Sequence, residues 1–148
     1  DNEGSDVTTI DERRRRRETV VLEHMESENV QQWDRTRATF SRPRYELPDG
    51  TVHDGHDDVM RYWIDGRTVV PDQRNELIEM EHVGPDQVLI HFWLRGTPTT
   101  SGRAFERTLW AIFDFDDDDL MTNERVYLER PTADQVEGRV TTDGRQAG

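Results

Sequence analysis

The sequence contains no cysteine and no lysine among its 148 residues. Without cysteine there are no disulfides, no thiolate nucleophiles and no zinc sites with sulfur ligands, so histidine, aspartate and glutamate remain as the strong metal ligands. Long hydrophobic runs are also missing, since no stretch approaches the roughly 18–20 apolar residues of a membrane span and the N-terminal residues DNEGSDVTTIDE lack a hydrophobic signal segment. These absences predict a soluble, cytoplasmic protein.

All 19 basic residues are arginine, and they stand against 32 acidic residues, for a formal net charge of −13. Such a charge repels nucleic acid phosphates and anionic lipids, so we expect no nucleic acid and no membrane as partners. An acid excess without lysine resembles the proteins of salt-loving archaea, in which concentrated salt screens self-repulsion. We therefore interpret the charge as a mark of a halophilic organism.

The length suits a single domain with one core. We assign residues 11–137 to that domain and predict flexible tails over residues 1–10 and 138–148, which are polar and without a pattern. Apolar residues at helical spacing predict two N-terminal helices that join near residues 28–30. The predicted inward stripe comprises Leu22, Met25, Asn29, Trp33, Thr36 and Phe40.

The segment VHDGHDDVMRYW, residues 52–63, raises the question of a metal site. Asp57 and Asp58 are adjacent, so on a helix they diverge by about 100° and cannot both reach an ion that His56 binds. Acidic residues in the first turn of a helix are favoured by the helix dipole. We interpret the segment as the start of a helix that continues to about Val70, and we expect no metal and no cofactor.

Two charged runs have plain interpretations. The five arginines at residues 13–17 point in every direction on a helix and have acidic residues four positions away, so we interpret the run as a solvated helix start with internal ion pairs. The aspartates at residues 116–119 lack the alternation and the glycine of a calcium loop. We interpret them as a hairpin turn.

After Pro71 the hydrophobic period changes to two, which is typical of strands. The segments concerned are residues 73–83, 87–96, 104–115 and 120–130. Helices followed by a meander of strands predict an α+β domain with an antiparallel sheet. Direct pairing of Phe115 with Leu120 across the aspartate turn places Ala111 opposite Glu124, on an otherwise apolar inner face.

The outer face of the predicted sheet mixes aromatic residues with arginine, a composition typical of protein interfaces. It comprises His91, Trp93, Arg95, Trp110, Ile112, Met121, Arg125 and Tyr127. We predict a homodimer that forms through this face. The contact residues would be His91, Trp93, Trp110, Arg125 and Tyr127. A solvated amphipathic face is the alternative.

Glu124 is the most informative single residue. An ionised carboxylate on an apolar face is costly unless it is paired, and burial raises its pKa toward the range useful for proton transfer. Glu124 is therefore a candidate acid–base group. A pair with an arginine such as Arg107, or a wet position at the edge of the sheet, is the alternative.

Short motifs recur in a fixed order along the chain. They are Glu28-Asn29, Asp54-Gly55-His56-Asp57-Asp58-Val59, Pro71-Asp72-Gln73-Arg74, Leu94-Arg95-Gly96-Thr97, Ala111-Ile112-Phe113-Asp114-Phe115 and Glu124-Arg125-Val126-Tyr127. Over residues 15–137 this order resembles the SnoaL-like branch of the nuclear-transport-factor-two-like (cystatin-like α+β) superfamily. The resemblance implies a cone, in which a curved antiparallel sheet wraps around N-terminal helices and leaves an apolar pocket, commonly in homodimers. The implied lining is Trp33, Phe40, Tyr45, Trp63, Phe92, Ala111, Phe113 and Glu124.

The resemblance also implies a function, because the family includes polyketide cyclases and ketosteroid isomerase-like enzymes that move protons next to a carbonyl without a metal. We expect a cofactor-free lyase or isomerase for a hydrophobic carbonyl compound, with Glu124 as its base. The candidate hydrogen-bond donors to the enolate are Tyr45, His53 and Tyr127. A carrier or sensor without catalysis, and a dimeric interaction module with a filled cone, are the alternatives.

The sequence also departs from the family. The usual pocket aspartate is replaced by Ala111, and Pro98 stands where a histidine often follows Gly-Thr. The Asp-Arg-Asp set of limonene epoxide hydrolase, a cousin of the family, has no counterpart that the sequence reveals. The cyclase mechanism is therefore not carried over to this chain.

Overall fold

The computed structural model describes the backbone of residues 2–138 and the side chains from residue 9 onward. Its helices are α1 (Asn2–Asn29), α2 (Trp33–Arg37), α3 (His56–Val69) and α4 (Ala133–Glu137). Its strands are β1 (Arg44–Glu46), β2 (Val52–Asp54), β3 (Arg74–Gly84), β4 (Gln87–Gly96), β5 (Phe105–Phe115) and β6 (Met121–Tyr127). The backbone is helical over residues 2–10, and the flexibility of that segment stays a prediction. Beyond Gly138, the predicted C-terminal tail lies outside the described residues.

The six strands form one curved, open sheet in the order β2-β1-β6-β5-β4-β3. All neighbours are antiparallel except β1 and β6, which are parallel. Register shifts in β3 after Leu77 and His82 bend that strand. The concave face wraps around α1, which confirms the predicted α+β fold.

The inward face of α1 is rotated by one residue from the predicted stripe. Leu22 is 49% exposed, whereas Val21 and His24 are buried. Both stripes include Met25 and both have helical spacing, so periodicity alone does not separate them. The stripe that packs inward is the more polar one, and it carries His24 and Glu28 toward the sheet.

α3 begins at His56, after Gly55, with Asp57 and Asp58 in its first turn, as predicted. Gly55 has a φ of +95°, a left-handed conformation in which a side chain is strained. The Asp58 carboxylate accepts hydrogen bonds from His53 Nδ1 at 3.2 Å and from a backbone N–H of β2 at 3.0 Å. The segment VHDGHDD is therefore a helix start whose acidic groups hold the preceding strand.

The turn between β5 and β6 spans the four aspartates, as predicted, but the strand register differs. Glu124 pairs with Phe113 and not with Ala111. The Asp116 carboxylate accepts two backbone N–H groups within the turn, which widens it, and a β-bulge adjoins the turn. The two-residue shift keeps Glu124 on the concave face, while the bulge turns Met121 into the core and not to the predicted outer face.

Three arginines of the 13–17 run bind one carboxylate in that turn. Arg16 Nε and Arg17 Nε lie 2.8 Å from the two Asp119 oxygens, and Arg13 Nε lies 3.2 Å away. Arg17 is only 4% exposed. The interpretation of a solvated, self-paired helix start is therefore wrong for these three residues, because Asp119, at a φ of +61°, is held against α1. We call these four residues the Asp119 cluster.

The outer face is partly covered by α4 and the segment before it. Arg125 donates to the backbone carbonyls of Gln135 and Val136, and Ile112 is fully buried although the sequence pattern placed it on an open face. Asp114 accepts both ends of the Arg125 guanidinium at 2.8 and 2.9 Å. Of the helices that the structure describes, none combines the length and the hydropathy that a membrane span requires.

Candidate functional site

A cavity of about 770 Å³ opens on the concave side of the sheet. This volume lies within the range of small-molecule sites, roughly 300–1,000 Å³. Most of its wall is apolar, and its polar groups come from α1, α3, four strands and the adjoining turns. The lining residues are Glu28, Tyr45, Leu47, Pro48, Asp49, Tyr62, Gln73, Asn75, Phe92, Leu94, Phe105, Arg107, Leu109, Glu124, Val126 and Leu128.

Two of the lining carboxylates are bridged by a histidine. His24 Nε2 lies 3.0 Å from Glu124 Oε1 and 3.3 Å from Glu28 Oε2. Glu28 is one turn after His24 in α1, whereas Glu124 comes from the middle of β6. The glutamate side chains keep 17% and 9% of their surface exposed, respectively, while His24 is closed off behind them. We call His24, Glu28, Glu124 and Tyr45 the His24 cluster.

The hydrogen bonds of His24 determine where its protons lie. Thr39 Oγ1 donates to the Thr36 carbonyl at 2.6 Å, so it accepts from His24 Nδ1 at 3.1 Å. Nδ1 therefore carries a proton, and Nε2 faces two carboxylate groups. A bare lone pair on Nε2 would repel the Glu28 carboxylate, so Nε2 is also protonated and the ring is an imidazolium.

The electrostatics of the cluster shift the pKa values of its two carboxyl groups in opposite directions. Burial opposes the charge on His24, but Glu28 and Glu124 outweigh burial and raise the pKa of His24 to about 10. Burial also acts on Glu28, yet the His24 charge holds the pKa of Glu28 below its usual value. For Glu124, burial dominates and raises its pKa. The cavity thus contains two neighbouring carboxyl groups whose pKa values shift in opposite directions.

Tyr45 connects the cluster to α3. Its hydroxyl donates to Glu28 Oε2 at 3.0 Å and accepts from Trp63 Nε1 at 3.0 Å. Burial, reinforced by the nearby glutamates, raises the pKa of Tyr45 well above its usual value. Tyr45 is therefore a neutral hydrogen-bond donor that fixes the position of Glu28.

Asn75 lines the cavity beside Glu28 and is only 8% exposed. Its Nδ2 donates to Glu28 Oε1 at 3.2 Å, and its backbone is clamped by the side chain of Asn29, which bonds both the N–H and the carbonyl. Its Oδ1 is buried and has no hydrogen-bond partner among the described residues. A buried acceptor without a partner costs free energy unless water or a ligand donates to it.

The structure brings two of the four predicted catalytic residues together. Glu124 and Tyr45 both belong to the His24 cluster. His53 stacks on Tyr62 at 4.5 Å on edge strand β2, bonds Asp58, and does not line the cavity. Tyr127 also lies outside the cavity: it pairs with Trp110 on the outer face, where its hydroxyl bonds Arg125, because residues along a strand alternate between faces.

Of the residues predicted to line a ligand pocket, two aromatic ones, Tyr45 and Phe92, lie on the wall of this cavity. Ala111 and Phe113 are completely buried, and Trp33 stacks on Trp63 with 5.5 Å between their rings. These side chains, with Phe40, pack in the core and not on the cavity wall. They fill one end of the cone.

Three polar residues of the site escaped the sequence prediction as functional groups, namely His24, Glu28 and Asn75. The available signal was the i, i+4 spacing of His24 and Glu28, which places both on one face of a helix. The stripe through Leu22 is more apolar, so it predicts the inward face more strongly than the stripe that contains His24 and Glu28. Asn75 carries no comparable signal in the sequence.

The His24 cluster also has the residue types of a metal site. His24, Glu28 and Glu124 each offer one ligand atom, and these atoms lie within 4.8 Å of one another. A divalent cation would have to displace the Nε2 proton of His24 and would then replace its bridging charge. The expected absence of a metal and of a cofactor stays a prediction.

The predicted dimer face is rich in stacked pairs. His91 stacks on Trp110 at 3.8 Å, and Arg130 and Arg95 lie over Trp110 and Trp93. Arg125, however, is turned toward Asp114 and α4. The homodimer stays a prediction, for which the measurement is the molecular mass in solution by light scattering.

Comparisons with known proteins agree with this architecture. The sequence model of the SnoaL-like domain family matches residues 21–124. No curated protein sequence gives a significant match. Three solved structures illustrate the similarity of the fold, each covering most of both chains.

The first is SalBIII, an epoxide hydrolase/cyclase-like enzyme in pyran ring formation in the polyether salinomycin, with a TM-score of 0.69, 16% identity, and coverage of 79% of this chain and 93% of that one. TerC, co-crystallised with polyporic acid, has a TM-score of 0.68 at 11% identity and covers 77% and 92%. A Mycobacterium tuberculosis protein in complex with estradiol-17beta-hemisuccinate has a TM-score of 0.67 at 14% identity and covers 78% and 95%. At these identities the likeness concerns the fold alone.

Proposed function

The chain belongs to the SnoaL-like domain family, and we propose that it is a cofactor-free acid–base enzyme that acts on an apolar small molecule. Glu124 and Glu28 are its proton-transferring groups. The observation that carries this proposal is the His24 bridge between two cavity carboxyls whose pKa values shift in opposite directions. An acid and a base held side by side on an apolar wall is an arrangement suited to proton transfer.

The proposed reaction is an isomerisation or cyclisation next to a carbonyl. Protonated Glu124 donates its proton to the carbonyl oxygen while ionised Glu28 removes a proton from the adjacent carbon, which forms an enol. Glu28 then returns the proton to a different carbon, or the enol carbon attacks a second carbonyl within the same molecule and Glu28 gives its proton to the alkoxide oxygen that forms. Each carboxyl recovers its starting state when Glu124 takes back the oxygen-bound proton.

His24 acts here as a positioning residue. Its Nε2 proton lies within hydrogen-bond distance of both carboxylates, so it can pass to Glu124 while Nε2 takes the proton that Glu28 has gained. The exchange would reset the pair without solvent after a reaction that leaves Glu28 protonated and Glu124 ionised. Tyr45 and Trp63 hold Glu28 from the other side.

A second candidate, opening of an epoxide, is favoured by one observation. The unpartnered Asn75 Oδ1 lies on the same side chain that bonds Glu28, so the pair offers two acceptors to the protons of a water or a hydroxyl. Glu28 would take the proton of that nucleophile as its oxygen attacks an epoxide carbon, and Glu124 would protonate the epoxide oxygen as the C–O bond breaks. SalBIII, the epoxide hydrolase/cyclase-like relative in fold, motivates this test but does not assign the substrate.

The experiment uses one probe for each reaction. Deuterium incorporation next to the carbonyl of 2-tetralone in D₂O, followed by NMR, reports enolisation, and diol formation from styrene oxide reports epoxide opening. We expect Glu124→Gln and Glu28→Gln each to lower the rate of whichever reaction the protein catalyses by roughly a hundredfold, the typical contribution of a general acid or base. The matched control is Glu79→Gln, which removes an exposed carboxylate of β3 outside the cavity.

The outcomes separate the competing functions. Turnover that survives both substitutions would overturn the proposed roles of the glutamates. Tight binding of apolar probes without turnover of either compound would favour the carrier or sensor. An interaction module with a filled cone is disfavoured by the cavity of about 770 Å³.

A further inference from the structure

The cavity that supports the proposed function has a charged residue far from the His24 cluster. Arg107 lies on β5 between Phe105 and Leu109, two residues from each, so all three side chains share the concave face. All three line the cavity. Arg107 is exposed, which places it at the cavity mouth.

Arg107 differs from its neighbours in having no counter-charge. It is the only cationic side chain in the lining, and its guanidinium makes no ion pair or hydrogen bond within residues 9–138. Arg95, on the adjoining strand, is by contrast bonded to Glu76 and Glu106 at 2.6 Å each. In a protein with 32 acidic residues and 19 basic ones, a cation left unpaired at an apolar opening is available to a ligand.

The opposite end of the cavity has the reverse electrostatics. Glu28 and Glu124 both bond the one imidazolium at that end, so it has no free cation to offer an anionic ligand, and the ionised Glu28 would repel one. Glu124 pairs with Phe113, which is six residues along β5 from Arg107, or roughly 20 Å for an extended strand. Between the two ends the wall is apolar and includes Phe92, Leu109 and Val126.

The geometry points to an anion subsite at Arg107, so that the ligand of this cavity is an apolar molecule carrying a carboxylate, or a similar anionic group, at its outer end. The inference rests on the proposed function for the identity of the cavity, and it adds the substrate class and the orientation. The guanidinium takes the anion at the mouth, and the apolar body reaches inward with its reactive group beside the glutamates. A ligand in the reverse orientation would place its charge against Glu28 and Glu124.

One carboxylate also lies in the lining near the opening, on the turn between β1 and β2. Asp49 Oδ1 accepts the backbone N–H of Thr51 at 2.9 Å, so it is engaged in its own turn. It forms no ion pair with Arg107 within the described residues. Asp49 would weaken anion binding by a screened, long-range repulsion and would not abolish it.

The test compares two fluorescent probes that differ only in charge, 1-pyrenebutanoate and 1-pyrenebutanol, bound to the full chain at low salt. We expect the acid to bind more tightly than the alcohol, and Arg107→Gln to weaken binding of the acid by roughly five- to tenfold while leaving the alcohol unchanged. The matched control is Arg103→Gln, which removes the same charge from an exposed residue outside the lining. Salt at 1 M should reduce the preference for the acid.

Each result has a distinct meaning. Equal affinity of both probes for the wild type, or an equal loss in the Arg103 variant, overturns the anion subsite while leaving the apolar cavity in place. Failure of both probes to bind overturns the subsite together with the proposed small-molecule function. A selective loss in Arg107→Gln that Arg107→Lys largely restores supports the subsite, because a second cation then replaces the first.

Discussion

Two ionic clusters lie along the same helix and have opposite charge balances. In the N-terminal half of α1, the Asp119 cluster sets three arginines against Asp119, and the exposed Asp86 adds a second carboxylate at Arg17. Two turns later, the His24 cluster sets two carboxylates against one imidazolium. Burial alone would raise the pKa of Asp119, yet the arginines hold it below its usual value, whereas burial does raise that of Glu124.

The difference separates a structural contact from a site that can do chemistry. The Asp119 carboxylate stays ionised at any ordinary pH, because Arg16, Arg17 and Arg13 all donate to it. The His24 cluster has fewer positive charges than carboxyl groups, and the pKa of Glu124 is raised there while that of Glu28 is lowered. An excess of cations fixes a charge, and a deficit of cations leaves a proton to transfer.

The largest effect is expected from Asp119→Asn. Asparagine tolerates the positive φ of this position but leaves the buried Arg17 with only the exposed Asp86 as its counter-charge, so we expect the free energy of unfolding to fall by about 3 kcal/mol. Urea unfolding at pH 7 measures the change. Asp118→Asn removes a charge from the neighbouring exposed position of the turn and should cost under about 0.5 kcal/mol. Equal losses of unfolding free energy in the two variants would mean that the bonds from the arginines to Asp119 do not stabilise the fold.

The His24 cluster should make the free energy of unfolding fall as the pH rises into the alkaline range. Because the pKa of His24 is raised from 6.5 to about 10 in the folded state, its contribution is complete below pH 6.5 and is lost as the pH rises through 10. The raised pKa of Glu124 acts in the same direction, starting from lower pH. We expect a loss on the order of 2–3 kcal/mol between pH 6.5 and 10, measured by urea unfolding.

Few other side chains titrate between pH 6.5 and 10, because the sequence has no lysine and no cysteine. NMR titration of the His24 ring in the wild type checks the assignment directly. His91→Gln, on the outer face against Trp110, should keep the same alkaline loss. A His24 resonance that titrates near pH 6.5 would remove the imidazolium from the site.

The two glutamates of the cluster should respond differently to neutralisation. Glu28 has a lowered pKa, so the fold favours its charged form, and Glu28→Gln should cost about 1–2 kcal/mol at pH 7. Glu124 has a raised pKa, so the fold disfavours its charge, and Glu124→Gln should change the free energy of unfolding by less than about 1 kcal/mol. Urea unfolding of the two variants measures the difference. The reverse order would exchange the proposed acid and base.

Glu124 was predictable from the sequence, and its partner was not. A single charge within an alternating apolar strand is visible in the sequence alone, and a two-residue error in register leaves it on the same face. His24 is separated from Glu124 by 100 residues, and its helix offers two overlapping stripes of nearly equal spacing. Only packing against the sheet selects the stripe that contains it.

The register and the Asp119 cluster were hidden for a related reason. The aspartates at 116–119 predicted a turn, but the hydrogen bonds that the Asp116 carboxylate accepts within it determine the width of the turn. Arg17 meets Asp119 across 102 residues, and local spacing suggested nearer acidic partners for the arginine run. The fold class survived these errors because it depends on the order of elements and on hydrophobic period, not on individual contacts.

The smallest expected effect comes from salt and distinguishes the buried clusters from the surface. Raising the salt concentration from 0.1 to 1 M should increase the free energy of unfolding of the wild type by about 1 kcal/mol, because screening relieves repulsion within a net charge of −13. The cost of Asp119→Asn should stay nearly constant over this range, since buried pairs are screened much less than exposed ones. Urea unfolding of both proteins at the two salt concentrations provides the measurement. If the cost of Asp119→Asn instead disappears in salt, the arginines are held to Asp119 by solvent-exposed attraction alone, and the two clusters on α1 no longer differ in kind.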